Sequence, residues 1–392
     1  MPIKPLTPSV AILTTTFHPE SHGGIESHVS SLSNTLTKNS YKTQVIHVSP
    51  FVVSSETILV NHIVTTKIAA IGYHSALAAF NITRLLHLLR DYDVVHVHDP
   101  GMGSVSLAVL LLRMLRLVHC QTVFSTHGFW FHNHGNRRLR SSLLIPFYKI
   151  YSRLILASFD HIICVSKQDY QLLSCKFPKS AKLLSKAAII ENPVDVERFS
   201  QSPSTEKKNL KSIEIVSLSR NTSHKNLPLV VTLLDETAKI LTEKITLHLI
   251  GEGTNSLKIP DSDNSSFLCL KCYGITTDGE IAEIASKSAF TISLSSYEGF
   301  GLAILELMST GLVPIVSNIP PYHYVTDHHM GLCIDLSLPH CTNIHKLADF
   351  FKQLSTQDSY SAYSKRSEIF ATQKDWQSSF HLFASVYKIC HD

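Results

Sequence analysis

Residues 295–317 read SSYEGFGLAILELMSTGLVPIVS, and more of the architecture follows from them than from any other segment. The preceding AFTISLS is a short β-rich run, and VPIVS at the end is another. Between them Gly299 and Gly301 lead into an apolar stretch starting at Leu302. Its spacing predicts a helix to about Ser309, with Gly311 as C-terminal cap. Strand, loop, helix and strand in that order form the repeating unit of a parallel sheet. The glycines let backbone approach a ligand, and free N–H groups at a helix start attract an anion.

Glu298 and Glu306 flank that junction. If wholly helical, their eight steps would span about 12 Å at about 1.5 Å per residue, the scale of a nucleotide sugar. One acid could then reach sugar hydroxyls and the other the ribose, with a diphosphate between them. An ordinary amphipathic helix with two incidental surface acids would not need the glycine pair before it.

The same alternation extends in both directions. IEIVSLS, ITLHLIG and FLCLKCYG predict strands separated by helices near 227–240 and 279–287. Toward the N-terminus, VAILTTTF, TQVIHVS, DVVHVH, QTVFSTH and HIICVS alternate with helical patterns near 26–37, 76–89, 104–117 and 138–157. The polar run SPSTEKKNLKS separates the two series. The reading is α/β throughout, with two Rossmann-like doubly wound parallel sheets at 1–200 and 210–373 facing each other across a cleft. A length of 392 residues suits two domains. In DWQSSFHLFASVYKIC, the spacing of Trp376, Phe380, Phe383 and Val386 predicts a helix within 374–392 whose apolar face packs back on the first domain.

Hydrophobic residues at 44% and charged residues at 17% describe a folded chain rather than a disordered one. The longest apolar stretch, Val105–Leu112, is broken by Arg113 and Arg116, so no spanning helix is expected. VAILTTTF lacks the core of a secretory leader, and the expected location is cytoplasmic. Eight cysteines in a chain of this length suggest reduced thiols. Cys269 and Cys272 form a CLKC unit, but no second half-site completes a zinc set. Residues 1–200 carry 19 Lys and Arg against 11 acids, and the remainder carry 16 against 20. The basic half suits an anionic ligand or surface.

Arg220 and Lys225, in SRNTSHKN after the strand IEIVSLS, stand where two cations would neutralise a diphosphate. Gly23 and Gly24 lie between the strand VAILTTTF and a helix, as a phosphate-approaching turn or a plain tight one. His127 ends the strand QTVFSTH and could donate a hydrogen bond or exchange a proton, while His98 and Asp99 end DVVHVH and are acceptor-side candidates. GEG at 251–253 matches only part of a dinucleotide fingerprint. His132 and His134 have no ligand partners placed by sequence, and no metal or other cofactor is expected. Phe129, Trp130 and Phe131 with Arg137, Arg138, Arg140, Lys149 and Arg153 make 128–153 a candidate for an anionic membrane surface, or else a solvated basic helix with core aromatics. No nucleic-acid-binding module accompanies the charge.

GGIE at 23–26, THG at 126–128, ENPVDVERF at 191–199, SRNTSHKN at 219–226 and EGFGLAILE at 298–306 together resemble retaining glycosyltransferases of family 4. The resemblance covers nearly the whole chain and implies the GT-B fold and metal-independent transfer of a hexose from a nucleotide diphosphate-sugar, GDP-mannose or a UDP-sugar. It implies that Glu298 contacts the donor sugar and that backbone at Phe300, Gly301 and Leu302 holds sugar and diphosphate. Glu306 would hold the ribose, Arg220 and Lys225 the diphosphate, while Gly24 approaches the phosphate and His127 meets the reacting sugar. THGFWFHNH further resembles bacterial exopolysaccharide mannosyltransferases that extend polyprenyl-diphosphate-linked saccharides, which implies a saccharide or lipid-linked saccharide acceptor and peripheral membrane association. Ser219 and Phe129 replace glycines common among such enzymes. A noncatalytic sugar-nucleotide-binding subunit is the alternative from another functional class.

Overall fold

The computed structural model describes residues 8–17, 23–49, 54–60, 62–71, 79–99, 102–127, 145–178, 180–199, 212–257 and 267–387. They form two compact units, residues 1–193 with 376–392 and residues 194–375.

In the first unit the strands are β1 (Val10–Thr14), β2 (Thr43–Ser49), β3 (Glu56–Val60), β4 (Ile63–Ile71), β5 (Ala79–Phe80), β6 (Val94–His98), β7 (Gln121–Ser125), β8 (His161–Cys164) and β9 (Ala187–Ile189). They order as β3-β4-β2-β1-β6-β7-β8-β9, with β5 on β4. Pairing is parallel from β4 through β2, β1, β6, β7 and β8 to β9. β3 and β5 pair antiparallel to β4. The parallel reading therefore holds for the body of the sheet and needs correcting at its edge. There ETILV and IVTTKIAAI form a hairpin in place of part of the expected crossover, and the following helix starts at Ile82.

The central strands are buried on both faces, as parallel strands covered by helices must be. A final helix, Trp376–Val386, belongs to this unit. Its Trp376, Phe383 and Val386 share a core with Val29, Leu32 and Leu36 of the helix Gly24–Lys38.

The second unit contains β10 (Ile213–Leu218), β11 (Ile245–Ile250), β12 (Leu268–Gly274), β13 (Phe290–Ser293), β14 (Val313–Ser317) and β15 (Leu332–Ile334). All pairs are parallel, in the order β12-β11-β10-β13-β14-β15. Numbered from its own first strand this is 3-2-1-4-5-6, the doubly wound order, which reverses between β10 and β13. In the first sheet the corresponding reversal lies between β1 and β6. Ligands of open α/β sheets bind beyond the carboxyl ends of the strands flanking such a reversal.

The chain enters the second unit at Val194, earlier than the polar run near 200 suggests. Val194 bridges Asp375 and is buried with Phe300, Ile304 and Tyr322, so residues 194–199 are packed into that unit. Cys269 and Cys272 lie three apart along β12 as free thiols, which directs them to opposite faces of the strand.

Candidate active site

At the second unit's reversal, β10 runs into the segment carrying Arg220 and Lys225, and β13 into the segment carrying Glu298. The two segments are stitched together. Ser296 N–H donates to the His224 carbonyl at 2.8 Å, and Asn226 Nδ2 donates to the Leu294 carbonyl at 2.8 Å. Lys225 Nζ then lies 2.5 Å from Glu298 Oε1, and Ser295 Oγ donates to the same oxygen at 2.7 Å. The acid is mostly buried, and its two donors hold it in one orientation. Arg220 is exposed one loop turn away.

Gly251 explains how the Arg220 segment is held. Its φ is +137°, and a Cβ there would stand 2.3 Å from the Ser219 carbonyl oxygen. Only a glycine lets β11 end so close to that backbone. Asn221 N–H donates to the Glu252 carbonyl at 2.8 Å, completing the contact. GEG is thus a packing device that fixes the cationic loop.

Glu306 lies in the helix Leu302–Met308 and is 6% exposed. Arg198 Nη1 donates to its Oε1 at 2.9 Å, while Nε and Nη2 of the same guanidinium grip Asp278 at 3.1 and 2.9 Å. Burial raises the Glu306 pKa, and the Arg198 charge offsets part of that rise. For Arg198, burial works to lower the pKa, but Glu306 and Asp278 outweigh it and the guanidinium is held above its usual range. Neither Arg198 nor Asp278 is singled out by sequence pattern. Arg198 stands within the quoted ENPVDVERF, yet its partner is 108 residues away and becomes visible only once the helices are placed.

Gly301 precedes that helix at φ +85°, and a Cβ there would meet the Tyr322 ring at 2.4 Å. Tyr322 is buried, with its hydroxyl 3.2 Å from Ser293 Oγ, and burial followed by the Glu298 charge raises its pKa well above normal. The Phe300 side chain is buried with Tyr322 and Ile304, so what Phe300 can offer a ligand is its backbone. Leu302 is half-buried. The helix spans seven residues, about two turns.

In the first unit, Gly23 is the extended residue before the helix Gly24–Lys38, and Gly24 is exposed. Glu26 accepts a 2.8 Å bond from Thr16 Oγ1, tying the helix start to the segment after β1. His98 ends β6, and its Nδ1 lies 2.7 Å from His127 Nε2. His127 has φ +42°, a left-handed conformation uncommon outside glycine. His96 bridges Tyr387 OH at 2.7 Å and Ser125 Oγ at 2.8 Å. Loss of solvation pushes His127 down to about 3; for His96 the same cause, with a contribution from His127, also gives about 3. His98 is likewise lowered, first by burial and then by its histidine neighbours. Asp99 faces a different task, because its Oδ2 accepts from Ser106 N–H at 3.2 Å and Ser106 Oγ at 2.7 Å in the first turn of the helix Ser104–Met114.

Comparison with known proteins matches these two units to two family models. Glycosyltransferase Family 4 covers residues 22–198, and Glycosyl transferases group 1 covers residues 199–368. The chain belongs to glycosyltransferase family 4. GDP-mannose:cellobiosyl-diphosphopolyprenol alpha-mannosyltransferase of Komagataeibacter xylinus is 25% identical, over 78% of this chain and 73% of its own. The Xanthomonas campestris enzyme of the same name is 24% identical over 92% and 91%. Among solved structures, sucrose-phosphate synthase from Thermosynechococcus elongatus aligns with a TM-score of 0.70 at 14% identity, covering 97% of this chain and 98% of that one. The fold of this glycosyltransferase is GT-B.

The aromatics Phe129, Trp130 and Phe131 and the cations Arg137, Arg138 and Arg140 of the expected membrane-facing segment lie outside the described residues, as do His132 and His134. Lys149 and Arg153 are exposed on the helix Ile145–Ser158. Among the described residues no helix is long and apolar enough to cross a membrane.

Proposed function

We propose that this glycosyltransferase moves mannose from GDP-mannose to a saccharide carried on a polyprenyl diphosphate, with retention at the anomeric carbon and with no metal in the transfer step. The observation that carries the reading is the Lys225–Glu298 pair at the reversal of the second sheet. The names of the two mannosyltransferase relatives support the donor and the acceptor class.

In this reading Lys225 and Arg220 hold the donor diphosphate, and Glu298 accepts from sugar hydroxyls. Glu306, oriented by Arg198, accepts from the ribose. Acceptor handling falls to the first unit. The acceptor hydroxyl oxygen bonds to the anomeric carbon as the bond from that carbon to the diphosphate oxygen breaks on the same face. The hydroxyl proton passes to the departing phosphate, and the electron pair of the broken bond leaves with GDP. Two cations stabilise that charge as it develops. Lys225 and Ser295 clamp Glu298 as a hydrogen-bond acceptor, which suits positioning better than covalent attack and supports retention through the front-face route.

The test is incubation of purified chain with GDP-mannose labelled in the sugar and a polyprenyl-diphosphate disaccharide. The expected product is labelled lipid with an α-linked mannose, and GDP-mannose should raise the melting temperature more than UDP- or ADP-sugars do. Unlabelled lipid together with no preference for the guanine nucleotide overturns the reading.

A peripheral membrane location accompanies it. Met114 and Leu115 are 71% and 66% exposed, at the end of the helix Ser104–Met114. On the neighbouring helix Ile145–Ser158, Ile150 and Leu154 are exposed beside Lys149 and Arg153. Apolar side chains among cations suit an anionic lipid surface.

A further inference from the structure

Tyr322 ends the short turn Pro320–Tyr322 that follows β14, and it is 1% exposed. Its ring stands against Gly301, where a Cβ would come within 2.4 Å of it. Its hydroxyl donates at 3.2 Å to Oγ of Ser293, the last residue of β13. Ser293 Oγ lies 3.1 Å from Ser295 Oγ, and Ser295 Oγ donates to Glu298 Oε1 at 2.7 Å. Three hydroxyls thus form an unbroken relay from beneath Gly301 to the acid that Lys225 grips.

The chemistry of the groups fixes the direction of every proton in the relay. A carboxylate only accepts, so Ser295 gives its one proton to Glu298. Ser295 then accepts from Ser293, and Ser293 from Tyr322. Burial, followed by the Glu298 charge, raises the Tyr322 pKa well above normal, so the phenol keeps its proton to give. Hydroxyls aligned head to tail polarise one another and strengthen the last bond. That bond and the Lys225 ammonium occupy both lone pairs of Oε1, which assigns ligand binding to Oε2. Ser295, 0% exposed, is itself anchored, because Ser317 Oγ at the end of β14 donates to its carbonyl at 2.5 Å.

We infer that Tyr322 and Ser293 are positioning residues for sugar transfer, which act through Ser295 to hold Glu298 with Oε2 toward the donor sugar. The inference rests on the reading of Glu298 as the acid that meets that sugar. Tyr322 serves the site twice, since its hydroxyl starts the relay while its ring supports the backbone at Gly301. In the same reading the nucleotide is held by Lys225, Arg220 and Glu306. Loss of the relay therefore lowers turnover and leaves nucleotide binding as it was.

Full-length chain is assayed for transfer from GDP-mannose to a polyprenyl-diphosphate disaccharide. Tyr322→Phe keeps the ring against Gly301 and removes only the hydroxyl, while Ser293→Ala cuts the relay one link nearer the acid. Each should lower kcat about threefold to tenfold, the worth of one hydrogen bond, with the Kd for GDP unchanged. Ser295→Ala removes a bond to a charged group and should lower kcat about tenfold or more. In the Ser295→Ala background Tyr322→Phe should add nothing, because the relay is already cut, whereas a merely structural contribution would persist there. Native kcat in both Tyr322→Phe and Ser293→Ala, or an undiminished effect of Tyr322→Phe in the Ser295→Ala background, overturns the relay. Should Tyr322→Phe unfold, Ser293→Ala carries the same comparison. If the native chain transfers no sugar, the reading of donor and acceptor falls, and crystal structures of the two variants decide the relay. A Glu298 carboxylate turned away from Lys225 supports it, and an unmoved one overturns it.

Discussion

The two sheets of this chain reverse their strand order at equivalent places, yet the side chains gathered there are opposite in kind. In and around the ends of β1, β6 and β7 stand histidines whose pKa values burial lowers. Near the ends of β10 and β13 stand carboxylates paired with cations. One architecture thus offers two electrostatic environments, because the fold fixes where loops converge while loop sequence fixes what they carry. The second unit gathers paired charges there; the first gathers imidazoles that can hydrogen-bond without carrying charge.

The largest effect expected is from Arg198→Ala. It leaves Glu306 buried without its partner, a loss of about 3 kcal/mol for breaking one side of a buried pair. Denaturant unfolding should show it in the second unit, and protonation of Glu306 at low pH should relieve part of it. Equal stability of variant and native chain near neutral pH would remove the pair from the account.

Next come Lys225→Ala and Glu298→Ala, each expected to lower turnover about a hundredfold or more, the scale for losing one preorganised electrostatic contact. Near-normal transfer by both folded variants would break the charge side of the comparison.

The histidine side is sharpened by acid. Above about 6.5 these rings are unprotonated in both folded and unfolded chain, so the first unit has its full stability. As pH falls below that, the unfolded chain binds protons that the folded one refuses. Stability then drops by about 1.4 kcal/mol per pH unit for each histidine, until the folded values, about 3 for His96 and His127, are passed. The second unit also holds lowered histidines, His224 and His248, but in smaller number and less completely buried. Hydrogen exchange between pH 6.5 and 5 should therefore loosen β6 and β7 more than β10 and β13, and equal loosening would contradict it. Smallest is the lipid contact: replacing Lys149 and Arg153 with Ala should reduce sedimentation with anionic vesicles by about threefold, at about 1 kcal/mol or less for each cation. Unchanged sedimentation removes these two residues from the membrane surface.

EGFGLAILE and SRNTSHKN are readable as site segments because their strand–loop–helix patterning and residue types are local properties. The pairing of Lys225 with Glu298, 73 residues apart, is not local, since it depends on β10 and β13 being neighbours across the reversal. Arg198 escaped for the same reason. The β3–β4 hairpin leaves a local signal, two β-branched runs separated by residues 61–62, but its antiparallel pairing at the sheet edge is a tertiary outcome. Among the first unit's candidates, Asp99 reads as a site acid at a strand end, whereas its carboxylate is engaged by Ser106.

By itself the sequence determined the alternation of strands and helices, the presence of two units and the family, because periodicity, turn residues and short motifs are written in neighbouring positions. Only the tertiary structure decided which acid meets which cation and which histidines meet one another. Such contacts join residues from separate elements, and their distances are set by strand order and helix packing rather than by spacing along the chain.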